Sequence, residues 1–274
     1  MESSGRVVVG VDGSESSLTA VRWAAGEADL RPAKQLYVVM ASGDPMWDDE
    51  AWEILGPVTD QIAGDHPSLE GSSDVVPGDP ADVLLQLSDG AELVVVGSRG
   101  RSALAATLLG SVSAKVATHA RCPVVVVRDH RDSGPVVVGL DNSPHSGAAL
   151  HYAFDAASRY ESGLVAMQVW QDIEYAPVVP HLEYELADLR DEALRGVAEQ
   201  LAGWAEPYPN VPVRKLAQRG HPVAELAAAA EDARLLVVGH RGRGGFTGLL
   251  LGSVAAGVLH HAQCPVAVVR DAEG

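Results

Sequence analysis

Cysteine is scarce in this 274-residue chain, which holds two, Cys122 and Cys264. Two thiols cannot make a disulfide framework, so the fold must rest on buried apolar surface, and a reducing compartment is expected. Lysine is scarcer than its charge class suggests, with three (Lys34, Lys115, Lys215) among 20 basic residues and no Gly-Lys pair. That absence removes the lysine-bearing phosphate loop from consideration. No apolar run approaches the roughly 18 residues of a membrane span. The amino terminus, MESSGRVVVGVD, also lacks the apolar region of a secretory signal. Positive charge is in deficit, 20 basic against 37 acidic residues for a formal net charge of −17. Such a surface repels nucleic acid, so neither a nucleic-acid nor a membrane partner is expected, and a cytoplasmic location is. It repels free nucleotide at long range as well, so any phosphate site has to be made from local donors.

What the chain does have is itself, twice. Gly97-x2-Gly100-x9-Gly110-Ser111 recurs as Gly239-x2-Gly242-x9-Gly252-Ser253, shifted by 142 residues (239−97). Over Gly97–Arg128 and Gly239–Arg270, 19 of 32 aligned residues are identical. VVVGVDGS at Val7–Ser14 recurs as VVVGLDNS at Val136–Ser143, shifted by 129 (136−7), so the second copy carries 13 more residues (142−129) between these motifs. The long second-helix pattern over His181–Ala205 is where they are expected. Two domains follow, residues 1–130 and 135–274, joined by the polar stretch DHRDSG. In the first, short β-branched runs predict strands at Arg6–Val11, Gln35–Ala41, Ser72–Val76, Leu93–Gly97 and Pro123–Arg128. Helices are predicted between them at Glu15–Asp29, Asp48–Ile62, Pro80–Asp89 and Ser111–Ala120. The second copy predicts strands near Val136–Leu140, Leu164–Trp170, Pro212–Leu216, Leu235–Gly239 and Pro265–Val269. Alternating β and α elements imply α/β architecture: two tandem, open, doubly wound parallel sheets, Rossmann-like, with helices on both faces.

In such sheets ligands sit beyond the carboxyl ends of the strands, where strand order reverses. Those loops carry Asp12 and Asp141 after the first strands and the two glycine signatures after the fourth. Connections of this kind usually run about two to six residues, and these are longer. Glycines let backbone N–H groups close on an oxyanion, and the helix that follows adds unpaired N–H groups and a favourable dipole. Ser111 and Ser253 read as the N-caps of those helices. Arg99 and Arg101, or Arg241 and Arg243, offer bidentate contacts to phosphate or are solvated surface charges. No predicted strand leads into the dinucleotide turn G-x-G-x-x-G. His119, His260 and His261 sit where they favour a helix carboxyl end rather than a metal, and no metal site is expected.

With its opening VVVGVDGS, the G-2x-G-9x-G-S pattern and the closing HA-x-CPV strand, nearly the whole chain resembles the universal stress proteins in their tandem, ATP-binding form. The resemblance implies strand order 3-2-1-4-5, one adenine nucleotide per domain, ATP with or without Mg²⁺, and pairing of domains through the fifth strands. It places Asp12 and Asp141 at the nucleoside end and the backbones of Val38 and Ala166 against adenine. Gly97 and Gly239 would pass the ribose. Gly100, Gly110, Ser111 and Val112 would face the phosphates of one site, and Gly242, Gly252, Ser253 and Val254 those of the other. The implied function is a stress-response regulator that acts through ligand-dependent conformation or assembly, as a homodimer or within the chain. The alternative is a slow ATP hydrolase or nucleotide-transfer enzyme. The loops show no carboxylate placed to position a water beside the phosphates, which favours binding over turnover. Ser102–Ala105 in the first copy depart from the family pattern, whereas Gly244–Thr247 in the second keep it. Asn142 stands where the first copy has Gly13, both being residues that tolerate unusual turns.

Overall fold

The computed structural model describes residues 5–43, 48–100, 109–143, 146–170, 182–242 and 250–270. Arg101, Arg243, Ser102–Ala105 and Gly244–Thr247 lie outside the described residues. The chain divides into two compact units, one of residues 1–130 with 265–274 and one of residues 131–264.

The first unit runs β1 (Arg6–Gly10), α1 (Glu15–Asp29), β2 (Gln35–Ser42), α2 (Asp48–Asp65), β3 (Glu70–Pro77), α3 (Pro80–Leu87), β4 (Leu93–Gly97), α4 (Ser111–His119) and β5 (Val124–Val127). The strands are parallel in the order β3-β2-β1-β4-β5. Helices α1 and α2 touch each other and α3 packs on α4, as expected of a sheet covered on both faces. The central strands are Val-rich without alternation because both faces are covered: Val7, Val8, Val9, Val94 and Val95 are each 0% exposed. The edge strand β3 is exposed along much of its length, and its sequence, EGSSDVVP, is correspondingly polar. Just beyond α1, Arg31 bridges the buried Glu27 of that helix at 2.7 Å and reaches Glu92 ahead of β4, which ties the helix end to the sheet.

The second unit runs β6 (Val136–Leu140), α5 (Ser146–Arg159), β7 (Leu164–Trp170), α6 (Leu182–Gln200), β8 (Val213–Arg219), α7 (Pro222–Ala229), β9 (Leu235–Gly239) and α8 (Ser253–His261). Its parallel order, β9-β6-β7-β8, repeats that of the first unit strand for strand. The remaining strand, β10 (Val266–Val269), is antiparallel to β5, with Val266 opposite Val126 and Val268 opposite Val124. The fifth strands of the two repeats therefore meet, as the resemblance implied. No helix among the described residues is long and apolar enough to cross a membrane.

One expectation fails. Helix α6 has 19 residues and α2 has 18, so the extra 13 residues are not a longer helix. Residues 171–181 stand against 43–47 and 201–212 against 66–69, 14 more in all with one more in the helix, while β7 and β8 are each one residue shorter than β2 and β3. The later connection folds back on α5: Trp204 stacks on Phe154 at 5.4 Å and Tyr208 on the same ring at 5.2 Å. Such aromatic pairs add about 0.5–1.5 kcal/mol each beyond the area they bury. Trp52 lies within α2 and is 44% exposed.

Candidate functional site

Each site begins where the first strand of a repeat ends. After β1 the chain turns through Asp12-Gly13-Ser14, and after β6 through Asp141-Asn142-Ser143. Gly13 has φ +80° and Asn142 φ +59°, so both occupy the left-handed region that these two residue types tolerate best. The turn aims an aspartate across the mouth of the sheet. Asp12 Oδ1 accepts from the Ser14 N–H at 3.0 Å and the Ser14 hydroxyl at 2.6 Å. Asp141 Oδ1 accepts from the Ser143 N–H at 3.0 Å and the Ser146 hydroxyl at 3.1 Å.

The other carboxylate oxygen explains the middle glycine of the signature. A Cβ at Gly100 would lie 2.7 Å from Asp12 Oδ2, and one at Gly242 would collide with Asp141 Oδ2. A side chain here would displace the aspartate, so Asp and Gly form one unit although they are far apart in sequence. Gly97 is required by packing, since its Cβ would stand 2.7 Å from the Ser16 carbonyl oxygen in the first turn of α1.

The last glycine closes the loop on itself. Gly110 N–H donates to the Ser98 carbonyl at 2.8 Å, and Gly252 N–H to the His240 carbonyl at 2.7 Å. Gly110 and Gly252 are themselves the N-caps, both with φ −66° and ψ 150°, and neither helix has a side-chain cap. The expectation that Ser111 and Ser253 cap the helices is therefore corrected. They are the first helical residues, their side chains are exposed, and with no cap the N–H groups of the first turn are open to an anion. Val112 and Val254 follow, half-buried, in the same turn.

Beside Gly100, the Arg99 N–H donates to Ser16 Oγ at 3.3 Å, and the buried Arg99 Nε has no hydrogen-bond partner. Arg128, at the end of β5, is half-buried. Burial first, and then the charge of Arg99, hold its guanidinium below the usual arginine range. A Cβ at Gly110 would stand 3.5 Å from Arg99 Cα, so the Arg99 backbone lies beside the start of α4.

In the second repeat these parts surround a cleft of about 320 Å³. Met167, Val169, Leu226 and Val238 give it an apolar wall, and Asp141, Gly239, Arg241, Gly242, Gly252, Ser253 and Val254 line the rest. Gly139 lets α7 close against β6, since a Cβ there would come within 3.0 Å of Leu226 Cδ1. Val38 and Ala166 hold equivalent register positions, opposite Val9 and Val138, and both are buried. The cleft wall on β7 comes instead from Met167 and Val169, on the alternate face of the strand. Ser143, Ser146 and the apolar wall were not anticipated from the sequence. The period-two spacing of Met167 and Val169 was the legible signal for part of it. Among the described residues no group of three or more His, Cys, Asp or Glu side chains is placed to hold a metal ion. Burial pushes the thiol of Cys122 up to about 12 and that of Cys264 up to about 11, as suits core residues.

Comparison with known proteins bears on the family and the fold. The model of the universal stress protein family matches the chain twice, at residues 4–128 and 133–270. Universal stress protein Rv2005c of Mycobacterium tuberculosis is 40% identical over 290 residues, covering 97% of this chain and 97% of the relative. A universal stress protein of Mycolicibacterium smegmatis is 38% identical over 288 residues, covering 96% of each. Among solved structures, a universal stress protein from Archaeoglobus fulgidus shares the fold at a TM-score of 0.72 and 21% identity, covering 97% of this chain and 98% of that one.

Proposed function

Since this chain belongs to the universal stress protein family, we propose that each repeat is a nucleotide-binding domain, 1–130 and 135–274, and that the protein is an ATP-binding regulator. The observation that carries this reading is the second cleft. One wall is apolar and suits a planar base. The other presents Arg241 and the uncapped start of α8, a cationic side chain and backbone donors suited to phosphates. Gly242 and Gly252 supply the close approach, and Asp141, fixed by Ser143 and Ser146, stands at the nucleoside end. Gly239, Ser253 and Val254 complete that site. Asp12, Val38, Gly97, Arg99, Gly100, Gly110, Ser111 and Val112 form its counterpart in the first repeat.

The same parts favour binding over chemistry. Asp141 Oδ1 is engaged at the turn by the Ser143 N–H and the Ser146 hydroxyl, and Gly242 leaves room for the rest of the carboxylate. Asp141 is thus a positioning group, and phosphoryl transfer needs a placed nucleophile as well as charge clamps. Occupancy would then act as a signal by favouring the conformation or assembly that holds nucleotide better. A cytoplasmic homodimer is part of the same proposal. The test is to denature the purified protein, identify the released nucleotide, and measure ATP turnover with excess Mg²⁺. About two adenine nucleotides per chain with negligible turnover is the expected result. Turnover on the order of 1 s⁻¹ or more would make the protein an enzyme instead.

A further inference from the structure

The two repeats use the same serine differently. Ser14 caps α1 by accepting from the Ser17 N–H at 3.2 Å, and its hydroxyl donates to Asp12 Oδ1 at 2.6 Å. Its one hydrogen and one of its acceptor sites are used inside the turn. Ser143, at the equivalent place in the second repeat, is 9% exposed, and its hydroxyl has no hydrogen-bond partner. Ser146 has taken over the bond to Asp141. Yet Ser143 lines the cleft, beside Asp141 and Gly242. A buried hydroxyl without a partner is costly, so a native protein that keeps one calls for an explanation at that position. Here the cleft supplies it.

We propose that the Ser143 hydroxyl is a specificity-determining contact of the second site, meeting a sugar hydroxyl of the bound nucleotide. The inference rests on the nucleotide reading above and deepens it. A serine hydroxyl donates one hydrogen and accepts others, and the group that complements both roles is another hydroxyl. Of the parts of a nucleotide, only the sugar offers one. The apolar wall of Met167, Val169 and Leu226 takes the base, and Arg241 with the start of α8 takes the phosphates. The turn of Asp141 and Ser143 is left for the sugar. Because the hydroxyl is buried before ligand arrives, little water competes for it, and a ligand lacking its partner leaves it unsatisfied. The first site has no such free hydroxyl at Ser14, so the two sites should differ in how strictly they read the sugar.

The test uses the full chain carrying Gly110→Asp to silence the first site, with and without Ser143→Ala, and titrates ATP, 2′-deoxy-ATP and 3′-deoxy-ATP. Ser143→Ala should weaken ATP about tenfold while leaving one of the two deoxy analogues unchanged, and Ser143→Thr should keep the discrimination. Equal loss for all three ligands, or no loss for ATP, overturns the role of Ser143 and leaves the nucleotide reading standing. No binding of any nucleotide in the Gly110→Asp chain, with Ser143 intact, overturns both.

Discussion

The two repeats close their glycine loops with the same hydrogen bond and the same cap geometry, yet they differ in what surrounds the loop. In the first, Ser113 donates to the Gly97 carbonyl at 2.6 Å, which locks the strand end to α4. In the second, Ala255 holds that position and lines the cleft instead. In the first, Ser98 sits beneath the loop and Arg128 stands beside Arg99. In the second, buried His240 replaces Ser98, while Arg270, the counterpart of Arg128, donates to the Ala117 carbonyl at 3.1 Å in α4 of the first unit. The second arginine thus bonds a helix end, whereas the first is half-buried at the end of β5. The two repeats thus set the same loop in different polar surroundings, and only in the second is the serine hydroxyl of the first turn left without a partner. Duplication kept the backbone cradle, which needs glycine and a helix start, and let the side chains around it separate.

The largest effect should come from filling the cradle. Gly252→Asp puts a carboxylate at the N-cap of α8, where aspartate is itself a good capping residue. Its Cβ would meet the His240 carbonyl oxygen at 3.2 Å, a contact relieved by a shift of a few tenths of an ångström. The variant should therefore fold and keep its stability while presenting negative charge where phosphate is proposed. Released nucleotide should fall from about two per chain to about one, and the same change at Gly110 should remove the other. Unchanged stoichiometry in a folded Gly252→Asp protein would refute the placement of the second site, and the asymmetry between repeats would lose its functional meaning.

How much of this was legible beforehand depends on the kind of interaction. The parallel sheets follow from Val-rich runs such as VVVG and LVVVG, which only burial on both faces accommodates. The glycine loops were visible because backbone approach leaves glycine as its trace. The caps were misread by one residue, since glycine and serine both serve at an N-cap and only the dihedral angles separate Gly110 from Ser111. The 13 extra residues were assigned to a helix because a polar periodic stretch gives no sign of where it stops. Phe154, Trp204 and Tyr208 meet only in three dimensions. The spare hydroxyl of Ser143 was invisible for the same reason: VDGS and LDNS look alike, and the difference lies in which neighbour bonds Asp141.

A smaller effect tests that difference through stability. Ser14→Ala removes a cap and an aspartate contact and should cost about 1 kcal/mol in urea denaturation. Ser143→Ala removes a buried hydroxyl that bonds nothing and should be neutral or slightly stabilising without ligand. Equal losses at the two serines would mean that Ser143 is a structural residue like Ser14. A neutral Ser143→Ala that still weakens ATP would be the mark of a group kept for the ligand.

The smallest effect concerns an ionic contact in the first repeat whose aspartate is replaced in the second. Asp29, at the end of α1, accepts from Ser68 Oγ at 2.6 Å and Lys34 Nζ at 3.0 Å, with His66 Nδ1 at 3.4 Å. Ser158 occupies the corresponding place in the second repeat (29+129). The hydroxyl of Ser68 first, and then Lys34, bring the Asp29 carboxyl down from 3.8 to about 2. A carboxylate whose folded value is depressed stabilises the fold above its unfolded value, and the contribution is lost as pH falls through the folded one. The stability gap between wild type and Asp29→Asn should thus be full above about pH 4, shrink as pH falls through about 2, and vanish below it. Because the Asp29 side chain is partly exposed, 31%, solvent screens the contact, and the gap should stay below about 1 kcal/mol and narrow further in high salt. Ser158→Ala should show no such pH dependence, and a gap that widened in acid would remove Asp29 from any account of why the first repeat depends on charge.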